Sequence, residues 1–266
     1  MADANTADVR SKYDIRFPSD GRGVDQDQEW AEIGLNGNGK LTRFRFHDYD
    51  RLYEQPGLYE QIFYEELECQ SPQVVTGLLS EVLASESLDP ADLRVFDVGA
   101  GNGMVGEELA NLGADTVVGV DIIEEAAQAA ERDRPHVYDT YHVLDLTDIP
   151  AAARAELEER RFNCMVSVAA LGFGDIPCRA FAEAFNLVLD DGWIAFNIKE
   201  EFLQPGESTG FSRLIGHMTH EGAIDMKAGM TYQHRLSTAG EPLDYRIFIA
   251  RKKAEIPNAW LDELDA

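Results

Sequence analysis

The sequence predicts a three-layer α/β sandwich around a mostly parallel seven-stranded sheet, finished by an antiparallel C-terminal hairpin. Three observations carry this expectation. From residue 93 onward, short apolar runs alternate with helical segments, the pattern of a parallel sheet covered on both faces. The first of these runs leads into a glycine-rich turn that opens a helix. Near the end, two strand-like runs are joined by Ser237-Thr238-Ala239-Gly240-Glu241-Pro242, a turn composition that suits a hairpin.

The elements follow in order. Residues 1–40 are polar and glycine-rich and read as a partly flexible arm, ending in the turn signal Leu35-Asn36-Gly37-Asn38-Gly39. Residues 41–90 read as a helical cap or lid. Leu58, Ile62, Phe63 and Leu67 recur at helical spacing, as do Val74, Val75, Leu78, Leu79 and Val82. Ser71-Pro72 divides the two helices, serine as a cap and proline as an opener. Residues 91–266 read as the main domain. Strands are expected at Leu93–Val98, Thr116–Val120, Thr140–Leu144, Asn163–Ala169 and Trp193–Ile198. Helices are expected at Met104–Leu112, Ile122–Arg132, Pro150–Arg161 and Arg179–Leu189. A helix at Phe211–Met218 and strands at Met230–Leu236 and Tyr245–Arg251 complete the plan.

Composition narrows the function. The chain is long enough for a full core, with 44% hydrophobic residues in 266. A net charge of −26 opposes binding to a phosphate backbone, so nucleic acid is not the expected partner. Six of the 23 basic residues are lysine, and an acidic, lysine-poor surface suits high salt as well as it suits an ordinary acidic protein. Cys69, Cys164 and Cys178 make no CxxC unit, so neither a disulfide framework nor a metal site is expected. No stretch reads as a signal peptide or a membrane span, and the expected location is cytoplasmic.

The informative segment is Val95-Phe96-Asp97-Val98-Gly99-Ala100-Gly101-Asn102-Gly103-Met104. Glycines let a ligand approach the backbone closely, and the helix start offers unpaired N–H groups. Such a loop holds a phosphate or a carboxylate. A dinucleotide fingerprint counted from Gly99 needs glycine where Met104 stands; the shifted match Gly101 to Gly106 falls two residues late. Asp97 faces a pyrophosphate badly and suits an ammonium group. Asp121 follows Gly99 by 22 residues and is placed to accept from ribose hydroxyls, though with Glu124 it also reads as a capping box. Asp145 and Leu146, after the third strand, fit an adenine amino group and ring; Asp145 fits a plain turn equally.

With these residues quoted, residues 93 to 199 resemble the Rossmann-like class I S-adenosylmethionine-dependent methyltransferases. Asp97-Val98-Gly99-Ala100-Gly101-Asn102-Gly103 resembles their first motif, Asp121 with Ile122 beside it their ribose position, and Asp145-Leu146 their adenine side. His47-Asp48-Tyr49-Asp50-Arg51-Leu52-Tyr53 resembles the segment before the core in many small-molecule members, and more weakly the Williams–Beuren-region methyltransferase-like group. The resemblance implies S-adenosylmethionine as cofactor, S-adenosylhomocysteine as product, and Tyr53 lying over the cofactor, where a plain core aromatic fits as well.

Ligands of open α/β sheets bind beyond the carboxyl ends of the strands. Phe173, Asp175, Asn197, Lys199 and Glu200 are therefore candidates for an acceptor pocket, and His217, His220 and His234 for a base. The Ser167-Val168-Ala169-Ala170 stretch lacks the motif of amino methyltransferases of nucleic acid bases or glutamine, which leaves a small-molecule acceptor. The segment through Leu83 is the expected lid. Three alternatives stand beside this reading: a non-catalytic S-adenosylmethionine-binding module, a nicotinamide-dependent oxidoreductase and a polyamine synthase.

Overall fold

A computed structural model of the chain describes residues 13–19, 24–35 and 39–264. Three short strands come first: β1 (Asp14–Arg16), β2 (Trp30–Gly34) and β3 (Leu41–Arg45). They pair antiparallel in the order β1-β2-β3. Next come α1 (Tyr49–Tyr53) and α2 (Leu58–Glu60), a π-helical turn at Gln61–Glu66, and α3 (Ser71–Ser85).

The main domain alternates as expected: β4 (Arg94–Val98), α4 (Met104–Leu112), β5 (Thr116–Asp121), α5 (Glu124–Asp133), β6 (Thr140–Val143), α6 (Ala151–Glu159), β7 (Cys164–Ser167), α7 (Cys178–Asn186) and β8 (Trp193–Lys199). It closes with α8 (Phe211–His220), β9 (Ile224–Leu236), β10 (Pro242–Lys252) and α9 (Asn258–Leu264). The large sheet runs β6-β5-β4-β7-β8-β10-β9. β4 to β8 are parallel, and β10 lies antiparallel between β8 and β9. This is the seven-stranded mixed sheet that the sequence predicts.

Alternation along β4 and β5 divides the core. Phe96, Val98, Val118 and Val120 pack with α7 residues such as Phe181 and Phe185, while Val95 and Val117 pack with α3 and α4 through Val75, Leu79 and Leu109. Chain order reverses between β4 and β7, and their carboxyl ends open there into a crevice.

The N-terminal region departs from the sequence reading. Part of the arm, and the start of the segment read as helical, form the β1-β2-β3 sheet. Two-residue alternation over three to five positions, with only Ala31 and Ile33 as the inward residues of β2, is too short to stand out. The sheet buries Ala31, Ile33 and Phe44 against Phe46, Leu52, Leu58 and Ile62 in a separate small core. The turn residues Asn36, Gly37 and Asn38 lie outside the described residues. Ser71 makes no capping hydrogen bond at the start of α3; its hydroxyl is engaged by Tyr232 and His234. β9 and β10 each run longer than expected. The end of β9 bonds the link before α3, Gln70 N–H to the His234 carbonyl and Leu236 N–H to that of Leu67. Among the described residues no helix is long and apolar enough to cross a membrane.

Candidate active site

The principal cleft opens at the ends of β4, β5 and β7, with the aromatic segment from Phe46 to Tyr64 on its other side. Its floor is the glycine turn. Gly99 and Ala100 both donate to the Val120 carbonyl, at 2.9 and 3.0 Å, so the turn crosses onto β5. Gly99 has φ +73°, and a Cβ there would stand 2.7 Å from the Cβ of Ala170. Gly101 has φ +54°, and a Cβ would stand 2.6 Å from the Tyr53 hydroxyl. Glycine is required at both, for backbone and for space. Gly103, at φ 88°, opens α4.

Several side chains hold the turn from outside. Asn102 donates to Glu60 at 2.9 Å, and Arg134 pairs with the same carboxylate at 2.7 Å while reaching the Asn102 carbonyl at 3.1 Å. The Tyr141 hydroxyl donates to the Gly101 carbonyl at 2.7 Å. Gly106, the last glycine of the shifted fingerprint, abuts Tyr138, which a Cβ would meet at 2.5 Å. Close packing within the sandwich thus accounts for that glycine without any dinucleotide.

Asp121 lines the cleft. One carboxylate oxygen accepts from Gly101 N–H at 2.9 Å, the other from Ile123 N–H at 3.1 Å. Burial raises its pKa, and the backbone donors pull it back. The capping box expected with Glu124 does not form: Ile123 stands at the N-cap and carries no side-chain cap bond. Ile122 lines the cleft while largely exposed, and the buried Leu146 faces the same space. Asp145 lines it too, yet its carboxylate closes a turn by accepting from the Thr147 amide and hydroxyl at 2.8 and 2.6 Å, which lowers its pKa. Tyr53, buried, covers Gly101 and packs near Tyr49 and Tyr59.

Asp97 falls elsewhere. Alternation turns it away from the Val98 face, and it does not line the cleft. One oxygen accepts from the Tyr138 hydroxyl at 2.8 Å, and the other is buried without a partner. Burial pushes this carboxyl up to about 7 despite that hydrogen bond, with Asp121 nearby adding to the rise. Asp97 thus supports the turn from behind and does not line the cleft where an ammonium group was expected.

On the acceptor side the outcome is divided. Phe173 and Asp175 line the cleft. Phe173 adopts φ 54° and packs edge-on to Phe202. Asp175 reaches solvent at the cleft mouth, and the surrounding protein pushes its carboxyl up to about 6, with Asp121 adding to the rise. Asn197 is fully buried behind the cleft, accepting from the Ala169 amide at 2.6 Å. Lys199 turns aside to Glu201 at 2.6 Å, and Glu200 accepts from Thr231 at 2.7 Å. None of these three lines the principal cleft; Lys199 lines the neighbouring pocket, which shares Phe173, Ile176 and Pro177 with it.

Of the three histidine candidates, only His234 lines the cleft. His217 stacks on Trp260, and His220 projects into solvent from the end of α8. The sequence reading quotes His47 but gives it no role. It lines the cleft between Tyr49 and Phe173, ring centroids 5.6 and 5.3 Å away, and burial lowers its pKa. Tyr59, Phe63, Tyr64 and Tyr245 also line the cleft. The available signal was density: four of the nine tyrosines fall between residues 49 and 64. Arg235 lines the cleft too, its charge met by the buried Glu29 at 2.6 Å.

Comparison with known proteins bears on this geometry. Residues 96–196 match the family described as "Methyltransferase domain". The chain is 28% identical over 167 residues to the ubiquinone biosynthesis O-methyltransferase of Paraburkholderia phymatum, covering 52% of this chain and 68% of that protein. It is 29% identical over 142 residues to the protein of that name from Thiobacillus denitrificans, covering 52% and 60%. The match thus spans about two thirds or less of these relatives' length. The fold is similar to that of N-methyltransferase NodS from Bradyrhizobium japonicum in complex with S-adenosylhomocysteine, at TM-score 0.54 and 15% identity, over 79% of this chain and 98% of that one.

Proposed function

We propose that this chain is an S-adenosylmethionine-dependent methyltransferase that carries the methyl group to a hydroxyl of a small, uncharged aromatic acceptor, a reading that the matching family and relatives support. The observation that carries the reading is the cleft itself: a glycine-turn floor continuous with a wall of Tyr49, Tyr59, Phe63, Phe173 and neutral imidazoles. Asp121 and Asp175 disfavour an anionic acceptor, and the charge of Arg235 is already met by Glu29. The names of the curated relatives support transfer to oxygen. The finer kinship with the Williams–Beuren-region group rests on His47 to Tyr53 alone.

The residues present fit the cofactor. The turn from Gly99 to Gly103 admits close approach, Asp121 offers lone pairs to ribose hydroxyls, and Ile122 with Leu146 forms an apolar slot for adenine beside Asp145. Tyr53 covers the turn. When bound, S-adenosylmethionine supplies an electrophilic methyl on a sulfonium. The protein then has to align the acceptor and exclude water, which the aromatic wall does. A ring nitrogen of His47, kept neutral by burial, takes the hydroxyl proton.

The experiment is methyl transfer from labelled cofactor to phenols of graded acidity. Wild type should methylate them, and His47→Ala should lose roughly 10²–10⁴-fold in kcat on weakly acidic phenols. The loss should shrink on phenols already ionised at the assay pH. A loss independent of acceptor acidity would remove His47 as the base; absence of transfer to any phenol would overturn the acceptor class.

A further inference from the structure

Behind the cleft lies a polar chain with a fixed direction. The Ala169 amide donates to Asn197 Oδ1 at 2.6 Å. A backbone N–H can only meet an acceptor, so the Asn197 amide is oriented with Nδ2 toward Tyr232. That NH₂ donates to the Tyr232 hydroxyl at 2.5 Å and reaches Ser71 Oγ at 3.3 Å. Tyr232, having accepted, has its own proton for Ser71 Oγ at 2.5 Å. Ser71 in turn has its proton for His234 Nδ1 at 2.6 Å. The reverse order would leave the Tyr232 proton without a protein acceptor among the described residues, the poorer arrangement for a hydroxyl that burial keeps protonated. Cys69, whose thiol burial keeps protonated, also faces Nδ1 at 3.8 Å and can donate to it; Nδ1 is thus an acceptor, and the single proton of the neutral ring sits on Nε2. Burial first, then the neighbouring Arg235, holds this imidazole well below its ordinary range, so a second proton is not taken up. His234 lines the cleft with its ring packed 4.1 Å from that of Tyr245, and among the described residues Nε2 has no protein partner.

We infer that His234 is locked as the Nε2–H tautomer and offers that N–H to the cleft as a hydrogen-bond donor for a carbonyl or ether oxygen of the acceptor molecule. It is a specificity residue and not a base, which corrects its candidacy above. Ser71, Tyr232 and Asn197 are its positioning residues. The ligand half of this inference rests on the small aromatic acceptor proposed above; the tautomer half does not.

Long-range ¹H–¹⁵N correlation on histidine-labelled protein, without ligand and between pH 6 and 8, tests the tautomer. His234 should show a bare Nδ1 and a protonated Nε2, unchanged with pH. An Nδ1–H ring, or one that titrates in this range, overturns the inference. Asn197→Asp replaces the terminal donor with an acceptor and should move the proton toward Nδ1. Ser71→Ala, a second route if that variant fails to fold, should leave a tautomer mixture. A ring state indifferent to both changes would sink the relay.

For the ligand, acetophenone should shift the Nε2–H resonance and ethylbenzene, of like shape but without the oxygen, should not. Equal shifts, or none with either, overturn the donor role. In turnover on a carbonyl-bearing phenol, His234→Ala should raise KM about tenfold with kcat little changed. His234→Gln, which keeps an N–H near the Nε2 position, should recover most of that. A kcat loss in both variants that tracks acceptor acidity would make His234 a base after all.

Discussion

At the scale of single residues, Asp121 and Asp97 show how one residue type serves two ends. Asp121 accepts from Gly101 and Ile123 and still faces the cleft. Asp121→Ala should therefore weaken S-adenosylmethionine binding by roughly 1–3 kcal/mol in calorimetry, the range for hydrogen bonds to a charged group. It should also lower the melting temperature of the free protein, because two backbone donors lose their acceptor. Normal affinity with reduced stability would confine the carboxylate to the turn. Asp97 is a different case. Its folded pKa of about 7 stands above the unfolded value. Its contribution to stability is therefore complete below the unfolded pKa and is lost as pH rises through about 7. Asp97→Asn, which still accepts from Tyr138, should match wild type near pH 4. It should gain progressively up to pH 8, by something on the order of a few kcal/mol. Urea titrations across that range measure the difference, and a pH-independent offset would contradict a buried, ionising Asp97.

At the scale of elements, a buried pair helps tie the N-terminal sheet to the main domain. Glu29, just before β2, accepts from Arg235 on β9 at 2.6 Å and from the Thr238 amide at 2.6 Å. Both side chains are almost wholly enclosed. Removing one charge strands the other, so Glu29→Gln should cost about 3–5 kcal/mol of unfolding free energy. A change below about 1 kcal/mol would mean that the pair is solvated in solution. The lid reading can be tested on the same region. α1 contacts α5, with Tyr53 buried against Ala126 and Ala129 and its carbonyl accepting from Arg132 at 3.0 Å. We propose that this segment closes over bound ligands and sets acceptor choice. Hydrogen exchange should then slow across residues 44–53 on adding cofactor and acceptor, with smaller change in β4. Equal protection in both states would make the segment a fixed wall.

At the scale of the whole molecule, the chain carries 49 acidic and 23 basic residues, most of them outside the core. Self-repulsion of that size opposes the compact state and is screened by salt. The melting temperature should climb as KCl rises from 0.1 to 2 M, by roughly 2–4 °C for each kcal/mol of repulsion relieved. A flat or falling curve would show that local ion pairs such as Arg134 with Glu60 outweigh the net field.

Local pattern was enough for the sheet-and-helix alternation from residue 93, for the glycine turn, and for Asp121, Ile122, Asp145 and Leu146 beside it. Each of those depends on spacing within a strand–turn–helix unit or on the strand ends of a parallel sheet, which sequence periodicity encodes directly. The burial of Asp97 behind the turn, the exclusion of Asn197, Lys199 and Glu200 from the cleft, and the arrival of His47 were decided by tertiary structure. So was the hydrogen-bonded chain that fixes His234. Its members Ser71, Asn197, Tyr232 and His234 come from α3, β8 and β9, up to 163 residues apart in the pair that joins Ser71 to His234. Hydrogen-bond direction and burial depend on what the folded chain places around a group, and neither leaves a period in the sequence.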